Sequence, residues 1–303
     1  MPYSHCLDSF FVREKDQGYY ARRLGITKNP FDLLFALLYN YDLFPANSTL
    51  AANSLGGHRL FMTYCFAAHV NDGLVLCSDS RTNAGVDNVG VYSKMRSFCW
   101  PGDRFLCLLS SGNLATTQGV VKKVQQDLED NAEKNLLNLP SMSEIADYLG
   151  HVNTEIQNKQ ANREESGDNV AATFIIGGQI GSDNPAVYLV YPQGNYIYEA
   201  PDHPFLQLGE MKYGKPIADR VIRPDLPLES TARCALVSMN STIRSNVSVG
   251  APVELLIYTA NSLQPGRYLS FSEDNDFFKT MDARWCRGLE AALNDLPLFD
   301  WEN

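Results

Sequence analysis

The chain has 303 residues, 45% of them apolar and 20% charged, enough to bury a sizeable core in one large domain or two. Its formal net charge of −10 at pH 7, without any dense basic run, argues against nucleic acid or an anionic membrane as a general partner. The 7 cysteines are odd in number and lack a C-x-x-C pair, and none of the 5 histidines stands at ligand spacing from another His or Cys, so neither a disulfide framework nor a zinc site is signalled.

That cysteine usage fits a reducing cytoplasm. The longest apolar stretch, residues 31–44, is broken by Asp32, Asn40 and Asp42 and falls short of the ~20 residues of a membrane span. Asp8, Glu14 and Asp16 ahead of it disfavour an export signal. Residues 46–58 are mostly small and polar and read as a linker, which puts the start of the folded domain at Thr63.

From Thr63 onward the pattern is regular. Residues 63–70 and 73–79 read as two strands joined by the Asn71-Asp72-Gly73 turn, a strong hairpin signal. Residues 105–109 read as a strand and 113–127 as a helix. Ser141-x-x-Glu144 opens a second helix over 141–157, with Ile145, Leu149, Val152 and Ile156 on one face. Strands follow over 172–176 and 186–191, divided by a turn at 181–185. Helices are expected over 215–221, with Pro216 in a first turn, and over 236–243; two closing strands are expected over 253–258 and 268–271. Phe278, Met281, Trp285, Leu289 and Leu293 then form a helical stripe suited to packing on the body or on a neighbouring subunit. Strands grouped with strands and helices with helices favour an α+β fold of antiparallel sheets covered by helices, a four-layer αββα sandwich.

Taken singly, Thr63, Asp79 and Lys94 have ordinary explanations: a Thr in a strand, an Asp in a turn, a Lys on a surface. Their order is more specific. Thr63, the run Ser78-Asp79-Ser80-Arg81-Thr82-Asn83-Ala84-Gly85, Lys94 and Ser110-Ser111-Gly112-Asn113 resemble the active-site framework of proteasome β subunits. Met62-Thr63-Tyr64-Cys65, the continuation to Val86-Asp87, Gly112-Asn113-Leu114-Ala115-Thr116-Thr117-Gln118 and Arg244-Ser245-Asn246 resemble Anbu, the bacterial ancestral β-subunit family, and the similarity runs to the C-terminal Asp300-Trp301-Glu302.

The resemblance implies an N-terminal nucleophile hydrolase of the threonine type, cleaving peptide or related amide bonds. Thr63 would supply both the hydroxyl that attacks and, through a free α-amine with a pKa of about 7.7–8.0, the base that takes its proton. Lys94 would lower the cost of the alkoxide-like nucleophile, Asp79 would hold Lys94, and the Gly112 N–H would stabilise the oxyanion. Arg81, Ser245 and Ser248 would support the site. Ser245 stands where proteasome β subunits carry the Asp of an Arg-Asp-x-x-Ser-Gly segment. Thr82, Asn83 and Ser110 would contact substrate. No metal or organic cofactor is implied. The expected partners are copies of the chain, in a ring or an open spiral, with any unfolding partner left open.

An internal Thr63 has an amide nitrogen and cannot act as this base. Residues 1–62 are therefore expected to be absent from the working protein, either removed or the product of a misassigned start, because Met62 can itself initiate and its removal before Thr63 exposes the amine. Residues 63–303 would then be the proteasome-like domain. Rival readings are an amidohydrolase acting on small amides or isopeptides through the same Thr63, and a catalytically silent assembly scaffold. A triad of His69, Asp79 and Ser110 has the right residue types but no nucleophile elbow. Cys65 alternates into a strand and reads as a small core residue.

Overall fold

The computed structural model describes residues 63–83, 89–162 and 169–302. The extension expected over 1–62 and the loop glycine Gly85 lie outside these residues.

The first hairpin pairs β1 (Tyr64–Val70) with β2 (Gly73–Asp79), from Cys65 opposite Ser78 to Val70 opposite Gly73. Both strands are buried along almost their whole length because both faces of the sheet are covered. The short pair β3 (Arg81–Asn83) and β4 (Val89–Val91) follows, then β5 (Met95–Trp100) and β6 (Arg104–Gly112). Two helices come next: α1 (Leu114–Glu129), capped by the Asn113 side chain, and α2 (Met142–Ala161), whose first turn donates the Glu144 N–H to Ser141 Oγ. They are followed by β7 (Ala172–Ile180), β8 (Ala186–Val190), β9 (Tyr196–Tyr198) and β10 (Phe205–Gly209). Helices α3 (Lys215–Val221) and α4 (Leu228–Ser245), strands β11 (Val253–Thr259) and β12 (Arg267–Phe271), and helix α5 (Asp276–Asn294) complete the chain up to a short 3-10 turn at Asp300–Glu302.

The strands form two five-stranded sheets, β10-β1-β2-β11-β12 and β5-β6-β7-β8-β9, and every paired strand is antiparallel. Side-chain alternation sorts the apolar residues into layers. Cys65, Ala67, Leu74, Leu76, Phe105 and Cys107 meet between the sheets, where Phe105 stacks on Tyr258 with ring centroids 4.4 Å apart. Their neighbours Tyr64, Phe66, Val75 and Cys77 face the other way, onto α3 and α4, while Leu106 and Leu108 face α1 and α2. The order of layers is helix, sheet, sheet, helix, as the sequence pattern predicts.

Several elements differ from expectation. Strands β3, β4 and β9 have only three residues each, too short to carry a period. Helix α4 starts at Leu228, well before the expected 236; the added turns signal weakly because their buried face carries Thr231 and the small residues Ala232, Cys234 and Ala235. The hydroxyls of Thr231 and Thr242 find partners one turn back, at Pro227 O (3.1 Å) and Ser238 O (2.9 Å). The stripe of α5 divides: Phe278 is buried against α4 and β12, whereas Leu289 and Leu293 are exposed.

Candidate active site

Antiparallel pairing brings distant segments to one end of the sandwich. Cys65 pairs with Ser78, Asp79 with Val253, and Met95 with Leu109, so the start of β1, the end of β2, the start of β5, the end of β6 and the start of β11 lie together. Thr63 immediately precedes β1 and is buried, and its carbonyl accepts the Glu210 N–H at 2.8 Å. β10 can come this close because Gly209 has φ +79°, and a Cβ there would lie 1.8 Å from Thr63 O.

Asp79 is fully buried at the end of β2. Its Oδ1 accepts Lys94 Nζ at 2.6 Å and the Tyr64 N–H at 3.1 Å, and its Oδ2 accepts the Gly250 N–H at 3.3 Å. Burial pushes this carboxyl up from its ordinary value, and the charge and hydrogen bond of Lys94, with the two backbone amides, oppose the rise. Lys94 is held from a second side by Arg81 O, also at 2.6 Å. The Arg81 guanidinium donates to Val247 O at 2.8 Å and lies against Gly250, where a Cβ would stand 2.3 Å from Arg81 Cζ. Arg81 thus pins the loop after α4 to the end of β2.

A cleft of about 200 Å³ opens at this end of the sandwich. Thr63, Lys94, Gly112, Thr82, Ser110 and Ser248 all line it. Asp79 sits behind Lys94 and does not. Gly112 closes β6 with φ +112°, and a Cβ on it would stand 2.3 Å from Ala171 O. Immediately after it, Asn113 caps α1, so the Gly112 turn leads straight into a helix N-terminus.

Ser245 is the expected site residue that lies away from the cleft. It is the exposed last residue of α4, and the chain turns extended at Asn246 (φ −138°, ψ 106°), which buries the Asn246 side chain instead. Asn246 Nδ2 donates to Glu210 Oε2 at 3.1 Å, and its Oδ1 accepts the Ser248 N–H at 3.0 Å. The Asn83 side chain lies outside the described residues.

The two rival constellations are not assembled. His69 Nδ1 is 2.7 Å from Glu199 Oε1, Asp79 belongs to Lys94, and Ser110 Oγ donates to Lys94 O at 3.4 Å, so the triad residues have separate partners. Cys65 is fully buried, and burial pushes its thiol well above the ordinary value, as befits a core residue.

Three features had no sequence signal. Arg96 and Lys122 line the cleft from β5 and α1. Glu254 of β11 is buried behind it and accepts from the hydroxyls of Ser93 (2.7 Å), Tyr268 (2.8 Å), Ser80 (3.1 Å) and Ser78 (3.4 Å). Glu210 belongs to no motif of the sequence, and the strand before it, β10, carried no expectation either. Among the described residues no group of three or more His, Cys, Asp or Glu side chains is placed to hold a metal ion, and no helix is long and apolar enough to cross a membrane.

No family model and no curated protein matches the chain. Solved structures do. The helical assembly of the Anbu complex from Pseudomonas aeruginosa is 44% identical to this chain, with a TM-score of 0.75 over 78% of this chain and 98% of that one. This chain belongs to the Anbu, or ancestral β-subunit, family. Anbu from Yersinia bercovieri is 41% identical over 78% of this chain and 99% of its own, with a TM-score of 0.73. Anbu from Hyphomicrobium sp. strain MC1 is 39% identical over 78% and 100%, with a TM-score of 0.71. The chain therefore spans Anbu relatives almost end to end, and its sandwich is the N-terminal nucleophile hydrolase-like fold expected from its motifs.

Proposed function

We propose that the working form of this Anbu relative begins at Thr63 and hydrolyses peptide or related amide bonds through that residue. The observation that carries this reading is the convergence of Thr63, Lys94 and Gly112 on one cleft, with Asp79 holding Lys94 at 2.6 Å from behind. Thr63 Oγ attacks the scissile carbonyl and its proton passes to the Thr63 α-amine; the carbonyl oxygen becomes an oxyanion beside the Gly112 N–H. Collapse breaks the C–N bond, the leaving amine takes the proton, and an ester on Thr63 remains. Water then attacks that ester, giving up a proton to the α-amine; the Oγ–C bond breaks, Oγ takes that proton back, and the acid leaves. The Lys94 ammonium, held by Asp79 at 2.6 Å, favours the anionic form of Oγ throughout.

The relatives are spanned almost completely by 78% of this chain, a share that the residues from Thr63 onward suffice to supply, which supports Thr63 as the mature terminus. The same reading includes self-assembly, since the Pseudomonas aeruginosa relative forms a helical assembly and the second half of α5 leaves an apolar stripe uncovered.

A peptide epoxyketone tests the chemistry directly, because its ketone is attacked by a hydroxyl and its epoxide is opened by an amine on the same residue. A chain starting at Thr63 should gain the full mass of the inhibitor at that residue. A chain retaining Met62 should gain none. Equal labelling of the two chains would refute the role of the free amine.

A further inference from the structure

The cleft beside Thr63 has an electrostatic character opposite to that of the protein around it. The chain carries 35 Asp and Glu against 25 Lys and Arg, yet the described lining contains Arg81, Lys94, Arg96 and Lys122 and no carboxylate. Lys94 is ion-paired with Asp79. Among the described residues, none of the other three is paired with an acid: Arg81 donates to Val247 O, Arg96 to Met95 O, and Lys122 stands exposed at the cleft wall. These cations come from three separate elements, β3, β5 and α1, so they are no solvated face of a single helix. Beside them Leu114 and Val121 supply a partly buried apolar wall.

We propose that this cleft selects substrates with an acidic side chain, glutamate best, on the residue whose carbonyl Thr63 attacks. The inference rests on the reading of Thr63 as nucleophile and adds the substrate class. With the scissile carbonyl held between Thr63 Oγ and the Gly112 N–H, the side chain of that residue enters the remainder of the cleft. A glutamate lays its two methylenes on Leu114 and Val121 and brings its carboxylate among Arg81, Arg96 and Lys122. A lysine there meets like charge, and a leucine leaves the three cations without a counter-ion. The net charge of −10 repels an acidic peptide at long range, so an acidic side chain gains only where cations are gathered, as they are in this cleft.

The test uses the chain beginning at Thr63 and four fluorogenic peptides, acetyl-Ala-Ala-Ala-X-aminomethylcoumarin, with X as Glu, Gln, Leu or Lys. The Glu peptide should exceed Gln and Leu in kcat/KM by about tenfold and Lys by about a hundredfold, as expected for a carboxylate among several partly exposed cations. Raising salt toward 1 M, where the screening length falls to about 3 Å, should shrink the preference. Arg96→Glu should shrink it, lowering the ratio of Glu to Gln and of Glu to Lys severalfold. A second arm measures binding of the four acetyl-Ala-Ala-Ala-X amides to the Thr63→Ala chain by calorimetry, where Glu should again bind about tenfold more tightly than Gln. If no peptide is cleaved but the Glu amide binds best, the catalytic reading fails and the acidic preference stands. If Gln, Leu or Lys matches Glu in binding, the preference is overturned whether or not cleavage occurs.

Discussion

Asn246 donates its side-chain amide to Glu210 Oε2 at 3.1 Å, while the Glu210 N–H donates to Thr63 O at 2.8 Å, so Glu210 ties the loop after α4 to the residue at the head of β1. Position 245, where related proteasome subunits carry an acid, holds an exposed Ser here. The acid that meets this loop is instead Glu210, the residue after β10, whose backbone also bonds Thr63. It reaches the loop through Asn246, the next residue along.

Removing the Glu210 side chain should loosen the loop after α4 while leaving the backbone bond to Thr63 in place. In Glu210→Ala the buried Asn246 amide and the Lys212 N–H, which donates to Glu210 Oε1 at 2.9 Å, both lose their acceptor. The expected loss of stability is about 1–3 kcal/mol by urea denaturation. Glu210→Gln keeps one acceptor oxygen and should lose less than half as much.

The Asp79–Lys94 pair is almost wholly out of solvent, with side-chain exposures of 0% and 9%. Asp79→Asn leaves the ammonium without a counter-charge and should cost about 3–5 kcal/mol in chemical denaturation. The double variant Asp79→Asn, Lys94→Met leaves no charge unpaired and should recover part of that loss. Hydrolysis by a chain starting at Thr63 should fall at least a hundredfold in both, separating the pair's role in chemistry from its role in folding.

Tyr268 should titrate late. Partial burial of its phenol, donation of its hydroxyl to Glu254 at 2.8 Å and the negative charge there push it up to about 12 from an ordinary value of 10.0. The folded state therefore favours the neutral phenol: this contribution to stability is fully present below pH 10.0 and is lost as pH rises through about 12. Difference absorbance of the native protein against Tyr268→Phe should show the missing tyrosine ionising above pH 11. Glu254→Gln should bring that step down toward 10, since the charge is removed.

Self-assembly should depend on the outer half of α5. Leu293 is 68% exposed and Trp301 79%, while Phe299 stacks on Trp301 with centroids 4.6 Å apart. A single Leu293→Glu change puts a charge into that stripe without touching the core. It should shift the particle size from multi-subunit to smaller species by light scattering, and the far-UV spectrum and unfolding midpoint should not move.

Much of the fold was legible because its signals are local. The Asn71-Asp72-Gly73 turn announces its hairpin, and Ser141 with Glu144 opens α2 where the capping pattern puts it. The early start of α4 was hidden by Thr231 and the small residues on its buried face, and β3, β4 and β9 by their shortness. Within the candidate site, Thr63, Asp79, Lys94 and Gly112 were legible only as an ordered set that matches a family, since any one of them alone reads as a strand, turn or surface residue.

The amino-acid order by itself determined the layers and the family: alternating apolar residues specify which strand faces are covered, and motif spacing carries the resemblance to Anbu. Only the tertiary structure decided which side chains share the cleft. Arg81, Arg96 and Lys122 sit on different elements, and Glu210 and Asn246 are separated by a whole helix pair, so no local period relates them. Antiparallel pairing across two sheets sets those distances, and strand register, a property of the assembled sandwich, is what turns scattered charges into one electrostatic surface.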